Sequence, residues 1–282
     1  MKKLGIAVLV IAVLGAIAVA ALRSATHKLD SLLPDPQVCT ASVNGHSAEL
    51  DPEQAENASL ITAIAVQRGL PARAATIALA TAMQESKLYN LTSGDRDSLG
   101  LFQQRPSQGW GDEKQILNPV HATNAFYDAL IRIQGYETMV ITEAAQKVQH
   151  SGYPEAYAAH EADARVFASA LTGWSAHAFA CRLDNPSAGK GRPALLRNEV
   201  TRLFSRLIGP IGVHGRRLWI TVPAGPDRSV HGWAVTGYVV GQAQRLGVRS
   251  VEYDGRRWST GKDGDWRTGG TAGAGRITVT LA

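Results

Sequence analysis

The sequence predicts a membrane-spanning helix at the N-terminus, then an all-α domain, then a small α+β domain. Three observations carry this expectation. Residues 4–22 form an uncharged apolar run, residues 51–181 hold a series of capped helical segments, and residues 194–282 alternate short β-like runs with helix. The chain has 282 residues, which at ~150 residues per domain allows two domains with their own cores. Only 19% of residues are charged, which excludes a disordered polyampholyte, and two cysteines cannot staple a miniprotein scaffold. Neither Cys-x-x-Cys nor His-Glu-x-x-His occurs, so no metal or cofactor is expected.

The apolar run follows Lys2 and Lys3 and would extend ~28 Å as a helix, near the thickness of a bilayer's hydrocarbon core. It reads as an anchor with its lysine end in the cytoplasm, or as a signal peptide cleaved after Ala18-Val19-Ala20. Either reading exports everything after residue 22, giving a single-pass membrane protein with extracytoplasmic domains, or a secreted one. In an oxidising space Cys39 and Cys181 are expected to pair, tying together the two ends of the helical domain. Closing a loop of ~140 residues contributes on the order of 4–5 kcal/mol in the chain-entropy model.

Residues 23–50 carry Pro34, Pro36, Asn44 and Gly45 without a sustained period and read as a linker. Asp51-Pro52 with Gln54 is a capping-box start, and the first helix should stop at Gly69. Pro71 opens an Ala-rich helix ending near Lys87. Residues 89–99 read as loop, and Asn118-Pro119 opens a helix closed by Gly135. Thr142 caps a short helix, and Pro154 starts a longer one ending at Gly173. Residues 182–193 form a second linker. Beyond it the pattern gives a helix at 195–208, a strand at 218–222 and a helix at 231–246. A hairpin at 248–258 turns on Asp254-Gly255, and a closing strand follows at 277–281.

Charge separates these regions. Residues 51–181 carry 9 basic and 14 acidic groups, whereas residues 182–282 carry 16 basic and 7 acidic ones. A basic region outside the membrane points to anionic polymers or lipid headgroups rather than nucleic acid.

The chemistry concentrates in Gln84-Glu85-Ser86 and the stretch from Gly94 to Pro106. Glu85 ends a helix whose preceding residues are small and apolar. An apolar wall and the negative end of the helix dipole both disfavour a carboxylate, and a general acid must carry a proton to give. A solvated Glu in an exposed last turn is the alternative.

Glu85-Ser86, then Ser98-x-Gly100-Leu101-Phe102-Gln103, then Asn118-Pro119 with Asn124, resemble the lysozyme-like superfamily in order and spacing. The nearest likenesses are lytic transglycosylase modules and goose-type lysozymes, which Gly94-Asp95-Arg96 also resembles. The resemblance covers about residues 51–175. It implies cleavage of the β-1,4 bond between N-acetylmuramic acid and N-acetylglucosamine in peptidoglycan glycan strands. Glu85 would serve as acid and then base, with no second carboxylate. Gly100 would let backbone approach the sugar, Gln103 would hydrogen-bond in the groove, and Ser98 would support it. Asp95 and Asp97 would either position a water, as in an inverting hydrolase, or organise the turn. The family's late Ala-Tyr-Asn-Ala-Gly has its nearest match at Val148–Tyr153, which leaves Gln149 or Tyr153 as substitutes for its Tyr. A non-catalytic wall-binding or scaffold protein on a degenerate lysozyme fold is the alternative.

The stretches around His231-Gly232-Trp233, Tyr253–Trp258 and Gly264-Asp265-Trp266 are faintly similar to a wall domain related to zinc D-Ala-D-Ala peptidases, with its His-x-His strand replaced by Arg276–Thr280. That likeness implies a binding or structural role, the binding one holding the protein near anionic wall polymers. Trp233, Trp258 and Trp266 either stack on ligand or pack the core.

Overall fold

A computed structural model describes residues 36–149, 155–261 and 264–282. The apolar run at residues 4–22 and Tyr153 lie outside the described residues. Among the described residues, no helix is long and apolar enough to cross a membrane.

The expectation of an all-α domain over residues 51–181 is corrected. The protein is mixed α+β, with two antiparallel sheets. The first sheet has the order β2-β1-β3, built from β1 (Val38–Val43), β2 (His46–Leu50) and β3 (Phe179–Arg182). The first two strands lie in the stretch read as a linker, and the third ends the segment expected to be wholly helical. Cys39 sits opposite Cys181 in the β1–β3 ladder, and the two form a disulfide.

Helix α1 (Pro52–Gln67) starts on the Asp51 capping box, with Gln54 returning a bond to the Asp51 amide. Helix α2 (Ala72–Ser86) is buried along most of its length. After α3 (Glu113–Ile116), Asn118 caps α4 (Pro119–Leu130) through two amides, as the Asn-Pro pair predicts. Then come α5 (Ile141–Gln149), a 3₁₀ turn (Ala156–His160) and α6 (Glu161–Leu171), which packs on α2 and on the first sheet.

The C-terminal region places α7 (Pro193–Phe204), α8 (Arg228–Gly241) and α9 (Ala243–Leu246) with six strands. These are β4 (Ile211–His214), β5 (Arg217–Thr221), β6 (Val248–Tyr253), β7 (Arg256–Ser259), β8 (Arg267–Thr268) and β9 (Arg276–Leu281). Their order is β4-β5-β9-β6-β7-β8, and the β6–β7 hairpin turns at Asp254-Gly255 as expected.

Residues Gln37–Ala282 form one compact unit with a continuous apolar core. Helices α1 and α8 meet where Gly241 lies against Ser59, and a side chain there would collide with it. Beside this contact Arg245 bridges Glu56 of α1 at 2.9 Å and Glu199 of α7 at 2.7 Å. Trp233, Trp258 and Trp266 are all buried. Trp258 donates its indole N–H to the Cys181 carbonyl at 3.0 Å, and Trp266 to that of Phe179 at 2.8 Å, so both rings fasten β3 to the C-terminal region.

Candidate active site

The site begins with the way α2 stops. Lys87 and Leu88 both take positive φ, 54° and 63°. That conformation costs a non-glycine residue roughly 1–2 kcal/mol. Two α1 side chains offset the cost by capping the exposed carbonyls: Gln54 donates to the Lys87 oxygen at 2.9 Å and Asn57 to that of Leu88 at 2.8 Å. The abrupt stop leaves Gln84 exposed, Glu85 half-buried and Ser86 buried in the final turn.

Ser86 faces the following loop. Its Oγ lies 2.7 Å from the Leu101 carbonyl oxygen and 3.0 Å from that of Ala82, sharing one proton between them. Leu99 and Gln104 exchange two backbone bonds, and the Gly100 amide donates to the Leu91 carbonyl at 2.7 Å. Gly100 has φ +76°, and a Cβ there would sit 2.8 Å from the Ile116 carbonyl oxygen, so the chain's own packing already requires glycine. Phe102 is buried and stacks on Phe126 of α4 at 4.6 Å. Gln149, at the end of α5, donates to the Phe102 carbonyl at 2.6 Å. The loop is therefore fastened to α2, α4 and α5, and its contact with α2 is made by Ser86, the residue after Glu85.

Among the described residues, the carboxyl of Glu85 has one hydrogen-bond partner. Tyr157, fully buried in the 3₁₀ turn, donates its hydroxyl to Glu85 Oε1 at 2.6 Å. His160, from the same turn, has Nε2 3.1 Å from Gln84 Oε1. Burial lowers the His160 pKa against the opposing pull of Asp163, which favours a neutral ring at neutral pH.

The remaining expected residues occupy distinct places. Both Asp97 oxygens are taken, one by the Ser107 amide at 2.8 Å and the other by Arg105 Nε at 2.6 Å. The Ser107 bonds, with that of Arg105, hold the Asp97 carboxyl far below the usual range. This is a turn-organising role. Asp95 has a 93% exposed side chain, 3.9 Å from Arg96. Ser98 is buried, and its amide closes the turn onto the Asp95 carbonyl. Gln103 has φ 47° and folds back over Gly94, with Nε2 3.3 Å from the Gly100 carbonyl. Gln149 lines a cavity of about 680 Å³ together with Trp110, His121, Arg132 and Lys147.

Sequence reasoning missed Tyr157. The motif spacing points to residues 148–153 for an aromatic partner. The available signal was a lone ring in the small-residue stretch Ala156-Tyr157-Ala158-Ala159, four residues further on.

Comparison with protein-family models found no match, and comparison with curated proteins found none either.

Proposed function

We propose that this chain is an exported glycosidase that cleaves the β-1,4 bond between N-acetylmuramic acid and N-acetylglucosamine in peptidoglycan. Glu85 is its single acid and base. The observation that carries the reading is the 2.6 Å bond from Tyr157 to Glu85 Oε1 at a helix end set against a fastened loop. With Oε1 accepting from Tyr157, Oε2 is the oxygen that carries the proton to the glycosidic oxygen. After bond cleavage the same oxygen accepts a proton from the incoming hydroxyl.

The state of Asp97 favours a one-carboxylate scheme, because its oxygens are already bonded to Arg105 and Ser107. The nucleophile is then the sugar's own 6-hydroxyl, and the product ends in an anhydro-sugar. Mass analysis of fragments released from purified walls by the full chain tests this. Fragments lighter by one water than hydrolysed ones support the proposal. Hydrated ends would move the assignment to a hydrolase using Asp95, and no release of fragments would contradict glycan cleavage altogether.

A further inference from the structure

The outer face of the second sheet carries a row of polar side chains set by strand register. Arg217 on β5 sits opposite Thr280 on β9, Thr280 opposite Ser250 on β6, and Ser250 opposite Ser259 on β7. The neighbouring row runs Trp219, Thr278, Glu252 and Arg257 through the same strands. Alternate residues of β9 and β5 (Ile277, Val279, Leu218 and Ile220) are buried in the core, so the polar set faces outward. The polar side chains of both rows, with Arg249 and without Trp219, line a trough of about 380 Å³.

The trough is lined by three arginines and one carboxylate, Glu252. Glu252 accepts from the Thr271 amide at 3.0 Å and hydroxyl at 2.8 Å, with Arg257 3.6 Å away. Despite its burial, these Thr271 bonds and Arg257 keep its carboxyl ionised to lower pH than usual. Among the described residues, Arg217 and Arg249 have no carboxylate within ion-pair distance; Arg249 reaches only the Pro186 carbonyl, at 3.4 Å. The trough thus keeps an excess of two positive charges around Thr278, Thr280, Ser250 and Ser259. Arg217 and Arg257 lie on strands three steps apart, about 14 Å at the backbone. That span exceeds a single phosphate and suits successive charges along a chain, with the intervening hydroxyls placed to meet polar groups between them.

We infer that this sheet face binds a phosphodiester-linked polyol polymer, with Arg217, Arg249 and Arg257 on the phosphates and the Thr278–Thr280 hydroxyls on the polyol. The site lies apart from Glu85, and the inference does not depend on glycan cleavage. Binding of the full chain to lipid-free poly(glycerol phosphate), measured by calorimetry, tests it, with polyglutamate and a single-stranded oligodeoxynucleotide as competing polyanions. The expected result is binding tighter to the polyol phosphate than to either competitor. It should weaken at least tenfold in the triple variant Arg217→Ala/Arg249→Ala/Arg257→Ala and not change in Glu85→Gln. The double variant Thr278→Val/Thr280→Val keeps the charge and the β-branched shape. It should weaken polyol-phosphate binding several-fold while leaving polyglutamate binding alone, and it decides the matter if the triple variant fails to fold. Undetectable binding, equal affinity for all three polymers, or undiminished affinity in both variants would overturn the site.

Discussion

Tyr157 donates its hydroxyl to Glu85 Oε1 at 2.6 Å, joining the end of α2 to a turn more than seventy residues away. The bond occupies Oε1 and, in the proposed reaction, leaves Oε2 for proton transfer. It also ties the Glu85 carboxyl to a fully buried ring, so the carboxyl is held by the core and not by a surface loop. Removing the hydroxyl while keeping the ring isolates this effect. Tyr157→Phe should lower kcat for wall cleavage about 10- to 100-fold, the range of one hydrogen bond to an ionisable group. KM and the thermal melting curve should hardly move. An unchanged kcat would show that the bond does not position the acid.

Asp97 ties the 94–105 loop to the start of the next turn through Arg105 and Ser107. Its pKa is lower in the folded chain than its ordinary value, chiefly through the Ser107 bonds. The stabilisation it gives is present above the unfolded carboxylate's pKa and is lost as pH falls through the folded one. Amide exchange at Ser107 should therefore stay protected through mild acid, at about pH 4, and become fast in Asp97→Ala, which removes the acceptor, at every pH. Protection that fades in the wild type near pH 4 would contradict the bonding.

Arg245 satisfies Glu56 and Glu199 at the junction of α1, α7 and α9. Replacing it leaves two partly buried carboxylates without their cation. Arg245→Met should cost about 2 kcal/mol in a denaturant melt, less than the ~3–5 kcal/mol of a fully buried pair. Glu56 has a raised pKa, because burial outweighs the attraction of Arg245. Its unfavourable contribution is absent below the unfolded pKa and grows as pH rises through the folded one. Glu56→Gln should thus compare better with the wild type at pH 7.5 than at pH 4, and the reverse order would contradict that environment.

The Cys39–Cys181 bridge closes a loop spanning 142 positions and lies within the buried core. Cys39→Ala/Cys181→Ala should lower stability by roughly 4–5 kcal/mol if loop entropy dominates, less if the unfolded chain retains structure. A melting temperature equal to wild type would show that the bridge adds nothing to the ladder it joins.

Local signals were legible where their physics is local. Asp51-Pro52 with Gln54, Asn118-Pro119 and Asp254-Gly255 each marked an element start or turn that the structure contains, because caps and tight turns are satisfied within a few residues. The β1–β2 hairpin was missed although Asn44 and Gly45 both take positive φ, 52° and 81°, as a two-residue hairpin turn requires. Five of its eleven strand residues are Ala, Ser or Thr, so the alternation is faint. β3, the partner that completes the sheet, lies some 140 residues downstream. The place of Glu85 at a helix end was legible in the sequence, whereas its pairing with Tyr157 was not, because only tertiary packing brings the two together. Trp233, Trp258 and Trp266 were open to two readings, and their burial assigns them to the core.

The most direct measurement is release of dye-labelled fragments from purified peptidoglycan by the full chain, compared between wild type and Glu85→Gln. The substitution keeps the shape of the side chain and the partner for Tyr157 while removing the transferable proton. Steady release by the wild type, reduced at least 1,000-fold in Glu85→Gln, is the outcome expected when a single carboxyl serves as both acid and base. Equal release by the two proteins, or none by the wild type, would contradict the assignment.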